Sequence, residues 1–327
     1  MSNIAIIGAG AWGTALANLL CQNEHVVTLW GHDARHLAQL RETRANPLYL
    51  PGIALSPKIK FQEQPAAAVQ DAECVVIAVP SKFFREVTRH FSAFDGLAVS
   101  VTKGIEYETG LTMSGLLKTT MPKTAAAALS GPTLALEVAR GIPAAIVAAH
   151  PQTATARRVQ ALFGRPAFRV YTSQDVAGVE LGGAIKNVVA LAAGIGDGLG
   201  FGDNAKAGLV TRGLAEMRRL GVARGAHSET FSGLSGLGDL AVTCYSRLSR
   251  NRAFGERVGR GEKLESILAG TPSVAEGYPT ARAAFQLARK LGIETPIIDE
   301  VHAMLYEGKN VRQAVQDLMS REPKPED

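Results

Sequence analysis

Asn3-Ile4-Ala5-Ile6-Ile7-Gly8-Ala9-Gly10-Ala11-Trp12-Gly13 decides the fold. An apolar run with strand character enters G-x-G-x-x-G directly, and the glycines open the amphipathic stretch Trp12 to Cys21. Strand, glycine loop and helix in that order form the phosphate-binding turn of a dinucleotide domain. Gly8 permits the tight turn, Gly10 lets backbone N–H groups approach a pyrophosphate, and Gly13 lets helix and strand pack closely. The anion would sit at a helix N-terminus, where unpaired N–H groups and the dipole favour negative charge. A merely structural turn is the competing reading.

Outward from this turn, strand and helix patterns alternate to about residue 173. Strands are read at Asn3 to Gly8, Val26 to Trp30, Ile59 to Phe61, Cys74 to Pro80, Leu97 to Lys103, Ala126 to Ser130, Ala144 to Ala149 and Phe168 to Tyr171. Several are continuous apolar runs, as suits strands covered on both faces. Helices are read at Trp12 to Cys21, Asp33 to Arg44, Lys82 to Phe91 and Thr153 to Phe163. The repeat implies a Rossmann-like, doubly wound parallel sheet of the α/β class. From Asp175 onward only helical periodicity remains: 175–193, 204–220, 227–234, 252–260, 280–291, 297–306 and 310–319, with Asp175 and Asn310 as N-caps. The expected division is 1–174 for dinucleotide binding, 175–320 for an all-α substrate and catalytic domain, and 321–327 as a charged, fraying tail. Gly194 to Gly202 reads as a flexible connection between helices.

The composition narrows the function. Of the 327 residues, 46% are hydrophobic and 20% charged, which is the balance of a globular protein rather than a disordered one. A formal charge of +5 without any basic run interleaved with aromatics favours a small anionic substrate over nucleic acid. Cys21, Cys74 and Cys244 are far apart and read as reduced core thiols. Glycines interrupt the apolar start, unlike a signal peptide, and no stretch reaches ~18 unbroken apolar residues, so a cytoplasmic protein without an integral membrane segment is expected. No H-x-x-x-H pair or Cys/His cluster points to a metal, and no G-x-S-x-G points to a serine hydrolase. The oligomeric state, a homodimer included, is not readable.

At the end of the second strand, an NAD-specific domain usually carries an acid for the ribose hydroxyl. Here Trp30-Gly31 precedes His32, Asp33 and Arg35. His32 and Arg35 lie where a 2′-phosphate would, so NADPH is favoured, and Asp33 keeps NAD open. Three further clusters place polar groups where apolar ones are expected. Lys103 ends a strand in Val101-Thr102-Lys103-Gly104, at the edge where open sheets bind ligands. Ser130-Gly131-Pro132-Thr133 ends another, with capping turn and ligand contact both open readings. Lys186-Asn187 interrupts the small apolar helix around Gly182-Gly183. Two helical glycines cost about 1 kcal/mol each, so a close approach must compensate. A lysine buried there would have the lowered pKa that proton exchange near neutrality needs, although one snorkelling at the rim is the commoner case. Asp239 would be its buried counter-ion, and Ser249-Arg250-Asn251 opens a helix with groups suited to a phosphate, Ser249 serving equally as an N-cap.

Together GAGAWGTALA (8–17), VTKG (101–104), SGPTLALE (130–137), the long lysine-centred run 181–217, GLGDLAVTC (236–244), SRNRAFG (249–255) and VAEGYPTA (274–281) resemble the bacterial-type NAD(P)-dependent glycerol-3-phosphate dehydrogenase family, from about residue 3 to 315. The resemblance implies reversible reduction of dihydroxyacetone phosphate to sn-glycerol 3-phosphate for phospholipid synthesis. It implies that Lys186 exchanges the proton and that Lys103, Gly131, Thr133, Lys186, Asp239, Ser249, Arg250 and Asn251 contact the substrate. It also places Ala11, Trp12, His32, Lys103, Ala135, Arg250, Val274 and Glu276 along the dinucleotide, beside the loop glycines. A 2-hydroxy-acid or ketopantoate-type reductase and a non-catalytic NAD(P)H sensor are the alternatives.

Overall fold

The computed structural model describes residues 1–270, 275–323 and 325–326. Its centre is an eight-stranded sheet in the order β10-β9-β8-β7-β6-β1-β2-β5. The strands are β1 (Asn3–Ile7), β2 (Val26–Trp30), β5 (Lys60–Gln62), β6 (Cys74–Ile77), β7 (Leu97–Ser100), β8 (Ala125–Ser130), β9 (Ala144–Ala149) and β10 (Phe168–Ser173), and a separate hairpin pairs β3 (Ala45–Asn46) with β4 (Leu50–Ala54). Continuous apolar strands arise because both faces are covered. Ile4 and Ile6 pack into one core cluster, whereas Ala5 and Ile7 pack into another on the opposite face.

Around the sheet lie α1 (Ala11–Gln22), α2 (Ala34–Thr43), α3 (Pro65–Val69), α4 (Phe84–Arg89), α5 (Met113–Thr120), α6 (Ala135–Ala139) and α7 (Thr153–Phe163). The second half comprises α8 (Val176–Gly198), α9 (Asp203–Val222), α10 (Asp239–Tyr245), α11 (Arg250–Gly259), α12 (Leu264–Ala269), α13 (Gly277–Leu291), α14 (Pro296–Tyr306) and α15 (Val311–Met319). Asp175 accepts from the Gly178 N–H, and Asn310 accepts from the Arg312 and Gln313 N–H groups, as their N-cap reading requires. Met319 ends the last helix, and beyond it the Glu326 carboxylate lies 3.1 Å from Arg212.

The sheet departs from the all-parallel expectation at one place, where β8 and β9 run antiparallel. Antiparallel neighbours need no crossover helix, and only the five-residue α6 separates them. The hairpin β3–β4 and the short helices α3, α5, α6, α10 and α12 were not expected. Residues 227–234 form a 3₁₀ turn at Ser228–Ser232, followed by a π-helical turn at Leu234–Gly238, rather than one helix.

Of the connection expected at Gly194 to Gly202, Gly194 to Gly198 is instead the last part of α8, and only 199–202 joins α8 to α9. Side-chain-free contact with α11 explains it: a Cβ on Gly194 or Gly198 would overlap the Arg252 or Glu256 carbonyl oxygen, and one on Gly255 that of Leu191. Asp197, in the same stretch, takes both Arg252 and Lys206 at 2.6 Å. Helix α8 is long and apolar enough to cross a membrane, yet 83% of its most apolar window is buried inside the protein.

Because the α8–α11 crossing is backbone against backbone, Gly255→Val should destabilise the chain by about 3 kcal/mol or more, read by urea denaturation. A loss near zero would mean that the helices can part at no cost.

Candidate active site

Strands β1, β2, β6, β7 and β8 are mutually parallel, so their carboxyl ends share one edge of the sheet. That edge carries the glycine loop, His32, Ser81, Lys103 and Gly131. Chain order reverses between β6 and β1, which opens a crevice there.

The three loop glycines have separable causes. Gly8 has φ +124°, and a Cβ there would stand 2.6 Å from the Ala78 carbonyl oxygen, while one at Gly13 would overlap the Gly8 carbonyl. At Gly10 no atom of the described residues beyond its chain neighbours lies within 4 Å of that position. The fold itself therefore requires Gly8 and Gly13, whereas Gly10 leaves room for a bound group. No side chain caps α1, so its first N–H groups face that room. Asn46, on the unforeseen hairpin, fixes the loop by donating to the Ala9 carbonyl and the Thr14 hydroxyl, both at 3.1 Å. Trp12 packs over Phe168 at 6.5 Å, beside Ala11.

At the end of β2, His32 and Arg35 are exposed. Asp33 caps α2, accepting from the Arg35 and His36 N–H groups at 2.9 and 3.2 Å. The His36 N–H bond is the main cause holding its carboxyl below the ordinary range.

Along the same edge two ammonium groups share one carboxylate. Lys103 donates to Asp239 Oδ2 at 2.6 Å and to the Gly131 carbonyl at 3.0 Å. Lys186 donates to Asp239 Oδ1 at 2.9 Å and to the Thr243 hydroxyl at 2.6 Å. Lys186 is 5% exposed and Asp239 1%. Burial pushes the Lys186 pKa from 10.5 down to about 8; the Asp239 carboxylate opposes that shift and the Lys103 ammonium adds to it. The adjacent helical glycines find their compensation here. A Cβ on Gly182 would stand 2.6 Å from the Ser235 carbonyl oxygen of the π turn, and one on Gly183 would overlap the Ser130 hydroxyl and touch the Lys103 stem.

Asp239 thus has two cationic partners, where the sequence suggested one. Thr243 was missed altogether, although its place four residues after Asp239 puts both on one face of a helix. Cys244, next to it, is buried and its thiol is pushed up to about 12; all three cysteines are free and buried.

Ser249 is the N-cap of α11, accepting from the Arg252 N–H at 3.2 Å. Arg250 begins that helix and reaches solvent; surrounding protein lowers its pKa while Glu276 raises it. Asn251 braces three helices, donating to Asn187 and accepting from the Gly277 N–H, both at 2.8 Å. Thr133 donates to the Gly131 carbonyl at 3.1 Å, and Ala135 starts α6 nearby. Glu276 accepts from the Ser81 N–H at 2.9 Å and from its hydroxyl. Val274 lies outside the described residues. Among the described residues no cluster of three metal-ligating side chains occurs.

A glycine loop with room for a pyrophosphate, set on the same sheet edge as two lysines that share one buried carboxylate, fits a dinucleotide-dependent oxidoreductase. Two family models match the chain: the NAD-dependent glycerol-3-phosphate dehydrogenase N-terminus over residues 3–156 and the C-terminus over 175–316. The chain belongs to the NAD-dependent glycerol-3-phosphate dehydrogenase family. It is 50% identical to glycerol-3-phosphate dehydrogenase (NAD(P)+) of Syntrophotalea carbinolica, over 99% of each chain. The corresponding protein of Citrifermentans bemidjiense is 49% identical over 99% of this chain and 98% of its own. The crystal structure of glycerol-3-phosphate dehydrogenase from Coxiella burnetii superposes with a TM-score of 0.94 at 36% identity, covering 98% of this chain and 99% of that one.

Removing the shared carboxylate leaves two neighbouring ammonium groups uncompensated. Asp239→Ala should therefore lower stability by about 3–5 kcal/mol in urea denaturation. A change below about 1 kcal/mol would show that the lysines do not depend on it.

Proposed function

We propose that this chain catalyses the reversible NAD(P)-dependent reduction of dihydroxyacetone phosphate to sn-glycerol 3-phosphate, with Lys186 as general acid and base. The observation that carries this reading is the Lys186–Asp239–Lys103 cluster at the sheet edge beside the glycine loop. The reduced nicotinamide that the glycine loop would hold would supply the hydride for the carbonyl carbon. The protein's part is to manage the oxygen. As negative charge builds there, the two ammonium groups stabilise it better than they stabilise the neutral ketone. Lys186, with its pKa near 8, gives that oxygen a proton and takes it back in the reverse direction. Asp239 and Thr243 hold the Lys186 ammonium in place while it does so.

The substrate phosphate is assigned to the start of α11. Arg250 supplies charge there, and the Ser249 hydroxyl can donate outward while it accepts from Arg252. Asn251 has one amide proton left beyond its bond to Asn187, and Gly131 and Thr133 are assigned further contacts to the substrate. Residues Gly8, Gly10, Ala11, Trp12 and Gly13 would hold the pyrophosphate, with Ala135 and Glu276 further along the dinucleotide. The exposed pair His32 and Arg35 supports NADPH as the preferred form. The three buried, reduced cysteines support a cytoplasmic setting, and the product would supply glycerol backbones for phospholipids.

Lys186→Ala should cut kcat by at least ~10² while cofactor binding, followed by fluorescence, persists; turnover near the parent rate would remove the role. In the unaltered chain, kcat/KM for reduction should fall above pH about 8, where Lys186 loses its proton, and that for oxidation should fall below it. Asp239→Asn should move this limb to lower pH, because the carboxylate is what raises the Lys186 pKa; a shift upward would contradict the assignment. Arg250→Ala should raise KM for the ketone phosphate far more than for unphosphorylated dihydroxyacetone, and equal effects would exclude it as the phosphate grip. The double variant His32→Ala, Arg35→Ala should weaken NADPH and spare NADH, and unchanged NADPH affinity would end that preference.

A further inference from the structure

Between α13, α14 and the loop that follows β7 lies a cavity of about 570 Å³, lined by none of the residues assigned above. One wall is a stack of rings. Phe285 and His302 lie face to face, 3.9 Å between centroids and 7° from parallel, and Tyr306 continues the stack 5.2 Å beyond His302. Tyr278 follows at 4.9 Å, and its carbonyl accepts from the Tyr306 hydroxyl at 2.7 Å, which fixes the wall in place.

Two guanidinium groups border the space and differ in their partners. Arg289 is paired with Asp299 at 2.7 Å. Arg282 lies over the Tyr107 ring at 4.0 Å and makes no ion pair among the described residues. A guanidinium stacked on a ring keeps its N–H edge available in the plane, where it suits the two oxygens of an anion. His302 is 9% exposed, and its Nδ1 has no hydrogen bond among the described residues, standing 3.2 Å from the Glu307 carboxylate out of line for one.

The chemistry of the lining selects among ligands. Among the described residues no aliphatic side chain lines it, so a hydrocarbon chain would find no matching wall. Flat polarisable rings, a free cationic edge, and the Gln286 amide and Glu307 carboxylate at the rim suit a flat heteroaromatic that carries an amino edge and an anion. We propose that this cavity is a second ligand site for a purine mononucleotide, with the base against the ring wall, its amine toward Gln286 and Glu307, and its phosphate on Arg282. The proposal does not depend on the reaction assigned above.

Calorimetric titration of the full chain with AMP, under saturating NADPH to occupy the dinucleotide site, tests it. One AMP per chain is expected, with adenosine binding at least about tenfold more weakly for want of the charged contact. Arg282→Gln, at an exposed position, should weaken AMP at least about tenfold and leave kcat and KM without AMP within about twofold. Gln286→Trp should block the space and abolish binding, with the melting temperature of each variant showing that it is folded. No AMP binding in the presence of NADPH, or an affinity that neither variant alters, overturns the proposal.

Discussion

One buried carboxylate holds two ammonium groups together at the edge of the sheet. Asp239 meets Lys103 with one oxygen and Lys186 with the other, and the three groups come from the loop after β7, a long buried helix and a short helix that follows a π turn. Burying such a group is costly unless its hydrogen-bonding capacity is met, and here both oxygens are taken by cations. The cluster keeps an excess of positive charge in a largely buried place, with Lys103 its more exposed member. That excess would be unfavourable in an ordinary core, and it suits a site where negative charge appears on an oxygen.

The same carboxylate joins the sheet half to the helical half, and it is not alone. Glu180 of α8 accepts from the Ser114 N–H at the start of α5, and also from the Ser114 hydroxyl, while Glu276 does the same for Ser81 beyond β6. All three acids belong to the helical half, and Lys103, Ser114 and Ser81 belong to the sheet half. Apolar contact joins the halves as well, with Val179 of α8 packed against Ala128, Val147 and Ala149 of the sheet.

What the sequence disclosed follows from what is local. The strands of the main sheet were legible because two covered faces leave continuous apolar runs, and the glycine loop because its neighbours on both sides were unambiguous. The hairpin at 45–54 was hidden by Pro47 and Pro51, and α3 and α6 are too short to show a period. The helix read at 227–234 is replaced by a 3₁₀ turn and a π turn, and nothing in the run Gly233 to Gly238 announces π geometry. Asp239 could be matched with Lys186 from the demand for a buried counter-ion, but Lys103 as its second partner depends on how β7 meets α10. Asn46 gave no signal, since its role exists only once the hairpin reaches the glycine loop. Gly194 to Gly198 misled for a physical reason: glycines that usually break helices were there to let two helices touch.

That touching of α8 and α11 carries a further meaning under the proposed reading. Lys186 projects from one helix and Arg250 begins the other, and the two are locked by carbonyl-to-glycine contact and by the Asn187–Asn251 bond. The separation between proton donor and phosphate grip is therefore gauged by main chain, which cannot repack as side chains do. Such a gauge would accept a carbonyl at a fixed number of bonds from its phosphorus and reject longer homologues, so selection by substrate length would be stored in glycines that never meet the substrate.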